Sequence, residues 1–99
     1  MVKHVVMFKL SGTAAERREI AMRFKDALEA LPEQIEVLRS IEVGINENPC
    51  ETWDVVLTAI VETMADVGVY ARHPAHVAAA GLLAGHKEAR ACVDYVCQQ

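Results

Sequence analysis

The segment YARHPAH, residues 70–76, places a phenol and two imidazoles within one short stretch of a chain that has only 4 histidines and 2 tyrosines. An imidazole near its ordinary pKa can act as a general base around neutral pH. A phenol can donate a hydrogen bond to a carbonyl oxygen as that oxygen gains charge. His76 and Tyr70 are therefore the candidate catalytic residues, a base and a donor acting on a carbon acid.

Two other histidines are candidate ligand-binding residues. His4 lies on the apolar face of the first predicted strand, where it could orient His76, although a histidine in such a position is also commonly a core residue. His73 precedes Pro74, and a residue before proline is disfavoured in the helical conformation. His73 is therefore also a candidate N-cap of a helix that begins at Pro74.

No metal or cofactor site is predicted. His73 and His76 have a spacing that can bring two imidazoles together on a helix, but no acidic third ligand lies beside them. Cys50, Cys92 and Cys97 are odd in number and lack C-x-x-C spacing, so they do not indicate a disulfide framework or a zinc knuckle.

The composition limits the class of protein. A length of 99 residues predicts one domain, residues 1–99. The net charge is -4 and the 10 basic side chains are scattered, which does not favour nucleic acid as a partner. The first apolar run is too short to span a membrane and no small-residue cleavage site follows it, so a cytoplasmic protein without a membrane partner is expected. Hydrophobic residues make up 53% of a small domain, which predicts a homodimer.

The spacing of apolar residues predicts the elements that position these side chains. Alternation predicts strands at 2–10, 37–45, 53–61 and 90–97. Thr13 and Glu16 form a capping-box pattern, and the apolar stripe after them has a helical period up to Pro32. Asp94, in the last strand, is expected to make a strand-edge or interface hydrogen bond, and Gly85 can end the last helix. Helices are predicted at 13–31, 63–70 and 74–83.

This order of elements is typical of the ferredoxin-like arrangement, an α+β fold with a four-stranded antiparallel sheet and helices on one face. Several strands are apolar on both sides, so the uncovered face is expected to pack against its copy in a second subunit and form a dimeric α/β barrel. A pocket lined by His4, Tyr70 and His76 is expected between sheet and helices, beneath the small residues 78–81.

Three segments resemble the Dabb family of stress-responsive α/β-barrel domains: HVVMFKL in the first strand, YARHPAH, and the closing VDYV. The resemblance covers residues 4–96 and implies a dimeric barrel. It extends to olivetolic acid cyclase, a plant enzyme of that family that folds a linear polyketide by aldol condensation without cofactor or metal. The resemblance places the enzyme's catalytic pair on Tyr70 and His76 and its first-strand histidine on His4. Val55 stands where the enzyme has a third-strand histidine, and AAAGLLAG replaces its bulky aromatic residues.

Three functions remain open from the sequence. The first is binding of a small apolar or carbonyl-containing metabolite, with cofactor-independent, cyclase-like or lyase-like acid–base chemistry. The second is a non-catalytic stress-response or structural module whose product is the dimer itself. The third is a cofactor-independent monooxygenase of the same fold, which needs a pocket for a flat polycyclic substrate in a chain with few aromatic residues.

Overall fold

The secondary structure follows the predicted order of strands and helices. The structure, a computed structural model, describes residues 1–98. The longest helix has 16 residues, and no helix in this described part has the length and apolar character needed to cross a membrane. Short 3-10 turns follow the first and third helices, at Leu31–Glu33 and Gly81–Leu83. The main elements are β1 (Val2–Leu10), α1 (Ala14–Glu29), β2 (Ser40–Ile45), β3 (Val55–Val61), α2 (Met64–Arg72), α3 (Pro74–Ala80) and β4 (Lys87–Val96).

The four strands form one antiparallel sheet in the order β2-β3-β1-β4. β1 is central, and every second residue of it is buried, including His4 and Phe8. These side chains belong to one core that also includes Phe24 of α1, Tyr70 of α2 and Ala79 of α3. All three helices therefore cover the same face of the sheet, and the predicted ferredoxin-like α+β fold is confirmed.

Two capping boxes fix where α1 and α2 begin. Thr13 accepts a hydrogen bond from the backbone of Glu16, whose side chain accepts one from the backbone of Thr13. Thr63 and Asp66 make the same pair of bonds at α2. Each box satisfies two backbone donors that a helix start would otherwise leave unpaired. The start predicted for α1 is confirmed.

The starts of three strands differ from the predicted ones, and β4 ends at Val96, one residue before the predicted end. β2 begins at Ser40, because Ile35 and Leu38 enter the core through a turn in which the Leu38 amide donates to the Ile35 carbonyl. β3 begins at Val55, although the Asp54 backbone still donates to the Phe8 carbonyl and accepts from the Asn46 amide. The Asp54 carboxylate also accepts from the Leu10 amide. β4 begins at Lys87, three residues earlier than the predicted 90, and its pairing with β1 shifts register at the end of β1.

The predicted helix at 74–83 is also shorter than expected. α3 ends at Ala80, and the chain continues through the 3-10 turn Gly81–Leu83 before Gly85, whose φ of 80° reverses the backbone. A positive φ of this size is accessible to glycine without the steric cost that a Cβ atom brings. The turn lets Leu83 reach the core while β4 starts directly afterwards.

The other face of the sheet carries no helix, and we call it the open face. Most of its central positions are apolar, and the ladder pairs place them side by side across β3, β1 and β4. Met7, Val93 and Tyr95 are among the exposed large hydrophobic residues of the chain. A contiguous apolar surface of this kind marks an interaction site more often than a free surface. The open face includes the polar residues Lys3 and Thr58 and the apolar residues Val5, Met7, Val56, Ile60, Ala91, Val93 and Tyr95.

Candidate functional site

Three of the predicted site residues pack together between the sheet and the helices. The ring centroid of Tyr70 lies 4.5 Å from that of His76 and 5.9 Å from that of His4. The Tyr70 and His4 rings meet edge-on at an interplanar angle of 70°. We call His4, Tyr70 and His76 the ring cluster. The sequence placed these residues near one another, and the structure does so with the tyrosine in the middle.

The backbone explains why the three rings meet. His4 points to the helix side of β1 because it shares the parity of the buried positions of that strand. Tyr70 is the single fully buried residue of α2. His76 lies in the first turn of α3, which starts again at Pro74 immediately after the break at His73. The break turns the chain so that a residue of α3 packs against the last turn of α2.

The Tyr70 hydroxyl is the most unusual polar group in the structure. The side chain has no exposed surface, and its hydroxyl is the one buried side-chain polar atom within residues 1–98 that has no hydrogen-bond partner. Leaving such a group unsatisfied costs about 1–3 kcal/mol. Burial also raises the pKa of the hydroxyl well above its ordinary value, so Tyr70 keeps its proton at neutral pH. The Tyr70 hydroxyl is therefore a protonated hydrogen-bond donor that has no acceptor within the described residues.

His76 has one ring nitrogen engaged and the other free. Its Nδ1 lies 3.0 Å from the carbonyl oxygen of Ala71. A carbonyl oxygen only accepts, so Nδ1 carries the hydrogen and Nε2 of the neutral ring is left with a free lone pair. Burial lowers the pKa of His76, the Ala71 carbonyl opposes this, and the charges of His4 and Arg90 add to the lowering. At neutral pH His76 has the form that a general base requires.

His4 is held by a carboxylate on the neighbouring strand. Its Nδ1 lies 2.5 Å from Oδ1 of Asp94, which is directly opposite in the ladder between β1 and β4. The sulfur of Cys92 lies 3.6 Å from the same nitrogen. A carboxylate that accepts from a ring nitrogen fixes the orientation of the imidazole and is a strong hydrogen-bond acceptor. His4 therefore presents Nε2, and not Nδ1, to the interior.

Asp94 contacts a member of the ring cluster, which was not predicted from the sequence. A strand-edge hydrogen bond was expected for it, and the partner turns out to be His4. The sequence does contain an indication of this pairing. β1 and β4 are neighbours in a ferredoxin-like sheet, and His4 and Asp94 both lie on the helix side. What the sequence lacked was the register of this ladder, which depends on where β4 begins.

His73 takes the N-cap position that was one of its two predicted roles. Its Nδ1 accepts a hydrogen bond from the Ala75 amide at 3.0 Å, and its backbone carbonyl accepts from the Val77 amide. These bonds use His73 to begin α3. The structure therefore does not bring this residue into the ring cluster, although it is the break at His73 that positions His76.

The open pocket expected around these residues is closed in the structure. The phenol of Tyr70 itself fills the space beneath α3, where Ala79 and Leu83 also pack. Two cavities lie elsewhere. One, of about 610 Å³, is lined by Arg17, Asn46 and Asp54, and another, of about 540 Å³, includes Met7 and Trp53. Neither is lined by a member of the ring cluster.

Comparisons with known proteins agree with this fold. The model of the stress responsive A/B barrel domain, Dabb, matches residues 2–97. A dimeric protein of ferredoxin-like fold from Bacteroides fragilis is 51% identical, with a TM-score of 0.92 and coverage of 95% of this chain and 93% of that one. The comparison with curated proteins gives no match.

Two solved structures of enzymes share the fold at low identity. An antibiotic biosynthesis monooxygenase is 12% identical with a TM-score of 0.78, and each chain is covered completely. A hydroxynitrile lyase from Passiflora edulis is 12% identical with a TM-score of 0.74, and 99% of this chain and 94% of that one are covered. Likeness at this level concerns the fold alone. The family match over nearly the whole length shows that the chain belongs to the Dabb family, the stress responsive A/B barrel domains.

Proposed function

We propose that this protein is a homodimer that binds a small carbonyl-containing, mostly apolar metabolite at the ring cluster and moves a proton on it without a cofactor. The observation that carries the proposal is the buried Tyr70 hydroxyl, which has no partner although an imidazole lies on either side of it. A fold that required only packing at this point would be more stable with an apolar ring. A bound carbonyl oxygen is the acceptor that the hydroxyl lacks.

The proposed chemistry assigns one role to each ring. The Nε2 atom of His76 takes a proton from the carbon next to the carbonyl, and the electron pair of that C–H bond moves toward the carbonyl oxygen. Tyr70 donates its hydrogen bond to this oxygen as negative charge develops on it. The enolate then attacks an electrophile or expels a leaving group, and His76 returns its proton. His4, oriented by Asp94, bounds the opposite side of the substrate.

Access to the ring cluster requires movement of α3. This helix has seven residues, and Ala79 is its single fully buried one. It starts at a proline break and carries His76, which remains partly exposed. Segments with few buried contacts open at low free-energy cost. We expect faster amide exchange in α3 than in α1, and slower exchange in α3 when a ligand is bound.

The homodimer follows from the open face. The relative from Bacteroides fragilis is dimeric and 51% identical, and the open face of this chain leaves Met7, Val93 and Tyr95 exposed. Val93→Lys is expected to convert the dimer to a monomer in light-scattering measurements, because it places a charge within the open face, which the dimer would bury. Val77→Lys, on α3, is the matched control: Val77 is 58% exposed and Val93 is 62% exposed. A dimeric Val93→Lys protein would contradict this interface.

The acid–base proposal is tested by isotope exchange. A panel of small methyl ketones is incubated with the protein in D2O, and loss of the proton signal next to the carbonyl is followed by NMR. Exchange above the buffer rate is expected for the wild type. His76→Ala should return the rate to that of buffer, and Tyr70→Phe should lower it about a hundredfold, the scale of one lost oxyanion donor. His86→Ala removes an imidazole outside the ring cluster and is the control.

A non-catalytic dimer module is the second candidate function, and the closed state of the ring cluster favours it. The two cavities described above are lined by residues other than Tyr70 and His76. Under this alternative no ketone exchanges above the buffer rate and no ligand raises the melting temperature, whereas a ligand that binds the folded state stabilises it increasingly as its concentration exceeds Kd. A monooxygenase activity is supported by likeness of fold alone. The cytoplasmic location and the lack of a nucleic-acid partner remain predictions.

A further inference from the structure

A second set of reactive side chains lies where β1 and β4 meet. His4 and Asp94 are directly opposite in the ladder, and Cys92 precedes Asp94 by two residues and therefore lies on the same side of β4. Their ligand-forming atoms all lie within 4.8 Å of one another. The separations are 2.5 Å from Nδ1 to Oδ1, 3.6 Å from Nδ1 to Sγ and 3.8 Å from Sγ to Oδ1.

These separations are close to those of a tetrahedral metal site. Zinc binds sulfur at about 2.3 Å and nitrogen or oxygen at about 2.0–2.2 Å, which places neighbouring ligand atoms about 3.3–3.6 Å apart. The Nδ1–Sγ distance of 3.6 Å lies within this range, and the Sγ–Oδ1 distance of 3.8 Å exceeds it by 0.2 Å. The remaining pair, Nδ1 and Oδ1, must separate by about 0.8–1.1 Å to reach it, which requires the Asp94 side chain to move. That side chain is 30% exposed and is not locked in the core.

We propose that His4, Cys92 and Asp94 bind one zinc-like divalent metal ion through Nδ1, Sγ and a carboxylate oxygen, with the fourth position open. One nitrogen, one sulfur and one oxygen ligand suit zinc better than magnesium or calcium, which take oxygen ligands. Three protein ligands with a free position are the pattern of sites in which zinc binds water or substrate. This proposal does not rest on the proposed function, because Tyr70 and His76 are not ligands.

Charge and access are compatible with the metal. Once an ion displaces the thiol proton, Cys92 and Asp94 bring two negative charges, which outweigh the positive charge of Arg90 that lies near Cys92. Cys92 and Asp94 both retain exposed surface, so an ion can reach them from solvent, while His4 is buried behind them. The ring packed edge-on against His4 is that of Tyr70, whose hydroxyl has no partner.

The test uses the full-length, tag-free protein after removal of metals with EDTA. Cobalt(II) is titrated in, and absorbance is followed in the near ultraviolet, where a thiolate bound to cobalt gives a charge-transfer band. We expect saturation at one ion per chain, and zinc should abolish the band by displacing cobalt. Cys92→Ser should remove the band. Cys50→Ser, which alters an exposed cysteine in the loop between β2 and β3, should leave it unchanged.

A second variant keeps the test decisive if Cys92→Ser folds poorly. Asp94→Asn retains the size of the side chain and should weaken cobalt binding at least tenfold while the charge-transfer band persists at saturation. Lack of saturable binding by the wild type would overturn the proposal. So would a band that survives in Cys92→Ser or a cobalt affinity that Asp94→Asn leaves unchanged. None of these readouts depends on the ketone exchange, so the two proposals can fail separately.

Discussion

The layer between sheet and helices contains two edge-on ring contacts that differ in chemistry. At one end Phe8 of β1 meets Phe24 of α1, with centroids 5.6 Å apart and an angle of 88°. At the other end His4 of the same strand meets Tyr70 of α2 at 5.9 Å and 70°. We call the first contact the apolar end. Its two phenylalanine rings have no polar atoms and need only apolar packing. The ring cluster, in contrast, contains a buried hydroxyl without a hydrogen-bond partner.

The difference separates what stabilises the fold from what is available for function. Edge-on aromatic contacts add about 0.5–1.5 kcal/mol beyond the burial of apolar area. The apolar end gains this without cost, but the ring cluster loses about 1–3 kcal/mol through its unpaired donor. Along the same strand, the apolar end therefore stabilises the fold, whereas the unpaired hydroxyl of the ring cluster lowers the free energy of unfolding. Truncating a ring at the apolar end should lower the free energy of unfolding, whereas removing the unpaired hydroxyl from the ring cluster should leave it unchanged or raise it.

The largest effect is expected at the apolar end. Phe24→Ala should lower the free energy of unfolding by about 3–5 kcal/mol, because it removes a fully buried ring and leaves a cavity. Urea denaturation followed by circular dichroism measures this. A loss below about 1 kcal/mol would mean that the apolar end is not the stabilising region.

The carboxylates of Asp54 and Asp94 allow the same comparison, with a smaller expected loss in the free energy of unfolding. Asp54 accepts from the Leu10 amide at 2.7 Å and from Arg17 Nε at 3.2 Å, whereas Asp94 serves the imidazole of His4. Asp54→Ala should cost about 2 kcal/mol, since it leaves a backbone donor unpaired. Asp94→Ala should cost about 1 kcal/mol, because its side chain is partly exposed and solvent screens the contact. Equal losses in urea denaturation would remove this distinction between the ends.

The pH dependence of stability gives the smallest effect. Burial lowers the pKa of His76 in the folded state, so the unfolded chain binds the proton more readily. The contribution of the neutral His76 ring to the free energy of unfolding is fully present above the unfolded-state pKa of about 6.5. It is lost as the pH falls through the lower pKa of the folded state. His76→Gln should therefore flatten the decline of melting temperature below neutral pH. His86→Gln is the control, and an unchanged slope in His76→Gln would show that this ring is not desolvated.

The fold was predictable because its signals are local. Alternation in β1, the capping box at Thr13 and the break before Pro74 each depend on neighbouring residues, and all three are confirmed. The start of β2 was not predictable, since it depends on how Ile35 and Leu38 enter the core through a turn. Tertiary packing decided that boundary over the local pattern.

Three of the four candidate site residues lie together as predicted, whereas His73 caps α3 and the closed state of the site was not predicted. The sequence indicates that His4, Tyr70 and His76 face one region, and the structure brings their rings together. It does not indicate that Tyr70 fills the expected pocket, because that depends on how closely α3 approaches the sheet. The pairing of His4 with Asp94 required the register of two strands that are distant in sequence.

The stability of Tyr70→Phe tests the central claim most directly. If the hydroxyl has no partner in the free protein, its removal should leave the free energy of unfolding unchanged or raise it by about 1 kcal/mol in urea denaturation. The variant keeps the ring and its packing against His4 and His76. A loss of about 1 kcal/mol or more would show that the hydroxyl is already bonded within the fold, and the ring cluster would then be a second stabilising end.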